Sequence, residues 1–170
     1  MRILAVVLIA SLLAGCGYHP LYGDHTDSAS SAELANIYVA GIPNREGQIL
    51  RNYLIERLSD NAQPGYPTHT LTISLRIQST GIALSRDNTT SRTNITATAN
   101  FVLVDSAANR PVLKGVSRAT TSYDVLLSDY ATLVSREDAE NRTLREVSDD
   151  LRTRLAVYLS DLKARGPEAA

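Results

Sequence analysis

One side chain in the sequence carries a soft nucleophile: Cys16 is the only cysteine among 170 residues. It closes the stretch Leu13, Ala14, Gly15, where small residues leave the backbone open to a peptidase just before the thiol. Such a thiol can be alkylated to a thioether, and once it is consumed none remains for a disulfide, a zinc site or a catalytic nucleophile. The three histidines, His19, His25 and His69, do not stand at ligand spacing with one another or with a carboxylate on a single element, so no metal site is expected. There is no Gly-x-Ser-x-Gly elbow, no phosphate-cradling loop and no carboxylate pair in an apolar setting. The expectation is a chain that is not an enzyme, with no catalytic residue and no cofactor.

A second kind of chemistry lies in the cations. Between His69 and Ala119 the basic residues Arg76, Arg86, Arg92, Arg110, Lys114 and Arg118 face only Asp87 and Asp105. A guanidinium fits phosphate oxygens in bidentate fashion, so Arg76, Arg86, Arg92 and Lys114 are candidates to hold a phosphorylated glycolipid. The competing explanation is that cations on edge strands discourage sheet-to-sheet association. The formal net charge of −1 gives no whole-molecule field for nucleic acid, and no nucleic-acid motif occurs.

The elements that would position these groups begin with a leader. Met1 and Arg2 form a short positive start, and Ile3 to Leu13 an apolar run too short to cross a bilayer as a helix. Followed by Ala14, Gly15 and Cys16, this resembles a bacterial lipobox. The resemblance implies removal of residues 1–15 as a signal peptide, diacylation of Cys16 on sulfur and a third acyl chain on its new amine. Several chains, at about 0.8 kcal/mol per buried methylene, make a durable membrane anchor where one is marginal. Gly17 beside the cysteine, in place of an aspartate, resembles the signal for sorting to an outer membrane. Residues 16–33, with Pro20 and a polar run, read as a flexible lipidated tether.

Residues 34–165 are expected to form a single domain and 166–170 a mobile tail, leaving about 155 residues after processing, which suits one compact unit. With no tryptophan and one phenylalanine, Phe101, the core must be aliphatic. Ile37 and Val39 mark a short strand that Gly41 and Pro43 close. Asn44 then caps a helix whose Ile49, Leu50, Tyr53, Leu54 and Leu58 recur at helical spacing. Thr70 to Gln78 alternates strictly, Leu71, Ile73, Leu75 and Ile77 against polar neighbours, and Thr93 to Val104 repeats the pattern, so the two read as an antiparallel hairpin with a threonine-rich wet face. Val112 to about Val125 is a less regular last strand. Ser135 and Asp138 resemble a capping box opening a long helix with the stripe Leu144, Val147, Leu151, Leu155, Tyr158, Leu162. The fold class is α+β, order βαβββα: a two-layer sandwich of a four-stranded sheet with two amphipathic helices on one face.

Beyond the lipobox, the whole chain resembles the LPS-assembly lipoprotein family LptE in its alphaproteobacterial form. The carrying residues are Cys16, Gly17, Tyr18, Pro20, Leu21, Tyr22 and Gly23; Ile42, Asn44, Arg45, Gly47 and Leu50; and Tyr130, Ala131, Leu133, Arg136, Ala139 and Glu140. The resemblance implies an outer-membrane lipoprotein that plugs and helps assemble the LptD β-barrel and assists lipopolysaccharide delivery to the outer leaflet. Its folded part would lie on the periplasmic side or within the barrel lumen. The alternative is a periplasm-facing lipoprotein that binds a ligand or serves as an assembly or pilot subunit of another envelope machine.

Overall fold

Strand alternation and helical stripes set the chain out as β1 (Ile37–Val39), α1 (Asn44–Ser59), β2 (His69–Leu84), β3 (Thr90–Asp105), β4 (Arg110–Asp124) and α2 (Asp129–Arg165). This is the expected order βαβββα. The computed structural model describes residues 32–59, 62–84 and 90–165. The signal peptide, Cys16, most of the tether, Arg86 and the tail lie outside these residues.

The sheet runs in the order β1-β2-β3-β4. β1 joins β2 in parallel over three residues, Ile37 opposite His69 to Val39 opposite Leu71, a pairing that α1 makes possible by carrying the chain back along the sheet. β2, β3 and β4 form an antiparallel meander. The strands outrun their alternating cores: β2 extends to Leu84 and β3 starts at Thr90, because the hairpin continues through polar pairs such as Thr80 with Asn94.

The inner face collects the aliphatic positions. Leu71 and Ile73 of β2, and Ala97, Ala99, Phe101 and Leu103 of β3, are buried in one cluster with Leu50, Leu54 and Leu58 of α1 and Leu144, Val147, Leu151 and Leu155 of α2, and Ile95 of β3 is buried as well. β4 reads irregularly because its inward positions are small: Gly115, Ser117, Ala119 and Thr121 stand opposite Phe101, Ala99, Ala97 and Ile95. A side chain at Gly115 would meet the Phe101 ring, its Cβ 2.8 Å from Cζ, so the glycine is the seat of that ring. At Thr121 the hydroxyl reaches α2, donating to the Ala139 carbonyl at 2.8 Å and lying 2.5 Å from the Thr143 hydroxyl.

Asn44 is the first residue of α1 and takes a left-handed φ of 67°, a backbone that asparagine tolerates; among the described residues its side chain accepts no hydrogen bond from the first turn, so it enters the helix without acting as the expected cap. Three residues on, a Cβ at Gly47 would lie 2.7 Å from Ile42 Cγ2, so the glycine lets the first turn fold back on the preceding chain.

The long helix departs from expectation at both ends. It starts at Asp129, and Ser128 caps it, its hydroxyl accepting from the Ala131 N–H at 3.4 Å. Thr132 steadies the entry, its hydroxyl accepting from the Leu126 N–H at 2.9 Å. Ser135 and Asp138 therefore sit inside the helix, where Asp138 accepts from Arg142 at 2.8 Å; an acidic residue three places after a serine suits an i,i+4 ion pair as well as a cap. Toward the other end Leu159 is buried while Leu162 is 43% exposed and Tyr158 only half-buried, since a 3.6-residue turn drifts off a fixed three-and-four step.

The two helices lie side by side and run the same way. Arg45 pairs with Glu137 and Arg57 with Asp149, each across 92 residues, and Tyr53 is flanked by the guanidinium carbons of Arg57 and Arg145 at 5.5 and 5.4 Å from its ring centre.

Candidate functional site

With both helices on one face, the other face of the meander carries the even-numbered side chains. Its rows read Thr72, Val102, Lys114; Ser74, Asn100, Val116; Arg76, Thr98, Arg118; Gln78, Thr96, Thr120. All of these are exposed or half-exposed, and no helix among the described residues covers them. β-branched threonines hold the strand conformation and leave a hydroxyl in water, and Thr96 and Thr120 bond to each other at 2.9 Å.

The register brings three cations together. Arg76 and Arg118 flank Thr98 two strands apart, about 10 Å at the usual interstrand spacing, and Lys114 stands four residues below Arg118 on the same face, about 13 Å along the strand. None takes part in an ion pair among the described residues. With threonine and asparagine donors between them, they form a polar, cationic surface of a kind suited to multiply charged anions.

Of the residues singled out from the sequence, Arg76 and Lys114 share this surface. Arg92 is on the same face but at its far end, and its Nε donates to Asp124 at 2.8 Å. That pair holds the Asp124 carboxyl below the ordinary carboxylate range and Arg92 firmly charged, so Arg92 is already spoken for. Arg86 and Cys16 fall outside the described residues. Arg118 was absent from the candidate set. The irregular pattern of β4 hides which of its residues share a face, and only the register with Thr98 puts Arg118 in line with Arg76.

At the opposite end of the meander His69 stands across from Asp105. Burial pushes its imidazole down, the Asp105 and Glu33 charges opposing that only in part, and its Nδ1 lies 3.0 Å from the Thr68 hydroxyl. Asp105 closes the β3–β4 turn by accepting from the Ala107 and Ala108 N–H groups, each at 2.8 Å, which draws its carboxyl down. These are structural roles at a strand end. No group of three or more metal-ligating side chains occurs among the described residues.

Comparison with known proteins bears on the fold and on the family. A lipoprotein structure from Caulobacter crescentus CB15 superposes with a TM-score of 0.66 at 20% identity, covering 78% of this chain and 97% of that one. The rare lipoprotein B of Shewanella oneidensis gives a TM-score of 0.58 at 10% identity, over 75% of this chain and 96% of that one. At such identities the likeness establishes the fold. A Rickettsia prowazekii protein, RP188, is 22% identical over 158 residues, 93% of this chain and 98% of its own length. The family model LptE, described as lipopolysaccharide-assembly, matches residues 34–155.

Proposed function

The chain belongs to the LptE lipopolysaccharide-assembly family, and from that premise we propose that it is an outer-membrane lipoprotein, anchored through acylated Cys16, that plugs and helps assemble the LptD β-barrel and assists lipopolysaccharide delivery. Residues 1–15 are then removed on export and residues 16–33 tether the folded part to the bilayer. We read its role as binding and assembly without catalysis.

One observation carries this reading: a whole sheet face of hydroxyls, amides and three cations that are unpaired among the described residues, left open by helices that both pack on the other side. A barrel lumen is polar, and a plug within it needs a wet exterior. The phosphates of lipopolysaccharide would meet Arg76, Arg118 and Lys114 there, with Arg92 a lesser candidate because of Asp124. Arg86, outside the described residues, remains a candidate from its charge alone.

Affinity purification of the full chain from detergent-solubilised envelopes tests the proposal. Recovery of a large β-barrel in near-equal amount, with reduced surface lipopolysaccharide on depletion, is the expected result. Repeated recovery without a barrel, together with failure of a different envelope process, would replace it with the reading of a pilot or ligand-binding subunit.

A further inference from the structure

β2 has a sheet neighbour on its β1 side only from His69 to Leu71. The Ala40 N–H adds one more bond, to the Leu71 carbonyl at 2.9 Å, and the chain then turns away through Gly41 and Pro43 into α1. β2 itself continues to Leu84. Alternate residues of a strand aim N–H and C=O to the same side, so Ile73, Leu75, Ile77 and Ser79 present theirs, like Leu71, to the side that β1 has left. Among the described residues no strand takes them up.

The other edges are treated differently. The free side of β1 is closed by side chains: Gln63 Oε1 accepts from the Val39 N–H and Arg51 Nε donates to the Val39 carbonyl, both at 3.2 Å. β4, the far edge, carries Pro111, Lys114 and Arg118 and meets β3 with a register shift beside Val104, which are devices that blunt an edge. Along Ile73 to Ser79 the only charge is Arg76.

Beside this vacant edge lies a cleft of about 290 Å³, lined by Asn44, Gly47, Leu75, Ile77, Arg136 and Glu140 among others. It opens where α1 begins. Below that level Leu71 and Ile73 are buried in the core to which α1 contributes Leu50, Leu54 and Leu58, and at this level Leu75 and Ile77 are left half-buried. On the opposite face Arg76 has Thr98 for its strand neighbour on one side and, among the described residues, none on the other. A strand laid along β2 would continue both faces of the sheet.

We propose that the edge from Ile73 to Ser79 receives an added strand from a partner polypeptide, an extended segment with aliphatic residues at alternate positions over Leu75 and Ile77 and a carboxylate beside Arg76. Main-chain bonds supply the affinity and the alternating side chains the selectivity. The carboxylate follows from charge complementarity, because an opposite charge directly across a strand pair is favoured and Arg118 adds to the positive field around Arg76. The proposal stands apart from the lipopolysaccharide reading, which uses the open face; Arg76 alone is common to both.

The test uses the full mature chain and a synthetic heptapeptide alternating leucine with glutamate, read by residue-resolved amide hydrogen exchange. Saturating peptide should slow exchange at Ile73, Leu75, Ile77 and Ser79 by about tenfold or more. The same peptide N-methylated at alternate amides should not. A lysine-for-glutamate peptide should bind about threefold more weakly, and Arg76→Glu should remove that preference. Ser79→Pro deletes an edge-facing donor on an exposed residue without touching the bonds to β3, so it should weaken binding while the melting temperature holds. The proposal is overturned if millimolar peptide leaves these amides unchanged, or if equal protection appears with the N-methylated peptide. Amides already protected in the free chain would also overturn it, since a second copy or the chain's own N-terminal residues would then hold the edge.

Discussion

Arg76, Arg118 and Lys114 differ from Arg92 in having no carboxylate partner among the described residues, and that difference ranks them. Replacing Arg76 and Lys114 by glutamate should weaken lipopolysaccharide binding on the order of tenfold, ~1.4 kcal/mol, and move stability by less than about 0.5 kcal/mol because both are exposed. Arg92→Glu should weaken binding less while setting a like charge against Asp124; binding isotherms alongside thermal melts check both. His69 yields a pH prediction. Its folded pKa lies below the ordinary 6.5 because burial disfavours the cation. The unfolded chain therefore binds that proton more readily, and the His69 contribution is full above about pH 6.5 and is lost as pH falls toward the folded value. His69→Gln should flatten the loss of melting temperature between about pH 7 and pH 5. The cations were legible in the sequence as residue types. Their grouping was not, since a count of arginines carries no register, and neither Arg118 beside Arg76 nor Asp124 beside Arg92 follows from spacing along the chain.

Strands with a clear period of two, and a first helix with a clear stripe, could be read from the chain because one face of each meets a dry core. β4 resisted because its inner face is chosen for smallness: α2 comes close enough for the Thr121 and Thr143 hydroxyls to meet, and Phe101 needs the space over Gly115. Gly115→Ala should destabilise by about 1–3 kcal/mol through overpacking, measured by urea unfolding. Thr121→Val and Thr143→Val should each cost about 1 kcal/mol, and the double variant less than the sum, because removing both hydroxyls leaves no orphaned partner between them. Simple additivity in that cycle would show that the two hydroxyls act independently. The capping-box pattern at Ser135 and Asp138 misses the true start of α2 for a related reason. Leu126, Leu127 and Tyr130 are exposed, so the first turns carry no buried stripe to announce themselves, and only the bonds of Ser128 and Thr132 mark the cap.

Taken whole, the molecule is a long meander backed by two parallel helices, with β1 and α1 joined to one end of it. The family places a chain of this build in lipopolysaccharide assembly. Cys16→Ala should release the protein from membranes in a strain lacking the proposed barrel partner, measured by fractionation; retention there would contradict lipidation. Order, layers and wet face were all foreseen from the residues, whereas the parallel joining of β1 to β2 was not. Three residues hold too little pattern to show a partner, and the pairing rests on Ile37, Val39 and Ile42, each 1% exposed, more than on ladder bonds. That shortness has a mechanical side. Any pull applied from the N-terminal direction enters the sheet through β1, whose grip is a few main-chain bonds and a patch of aliphatic side chains, while the meander beyond it is laced over fifteen or so paired residues. Under load the first strand would give way before the rest, working as a sacrificial link that spares the broad open face of the meander.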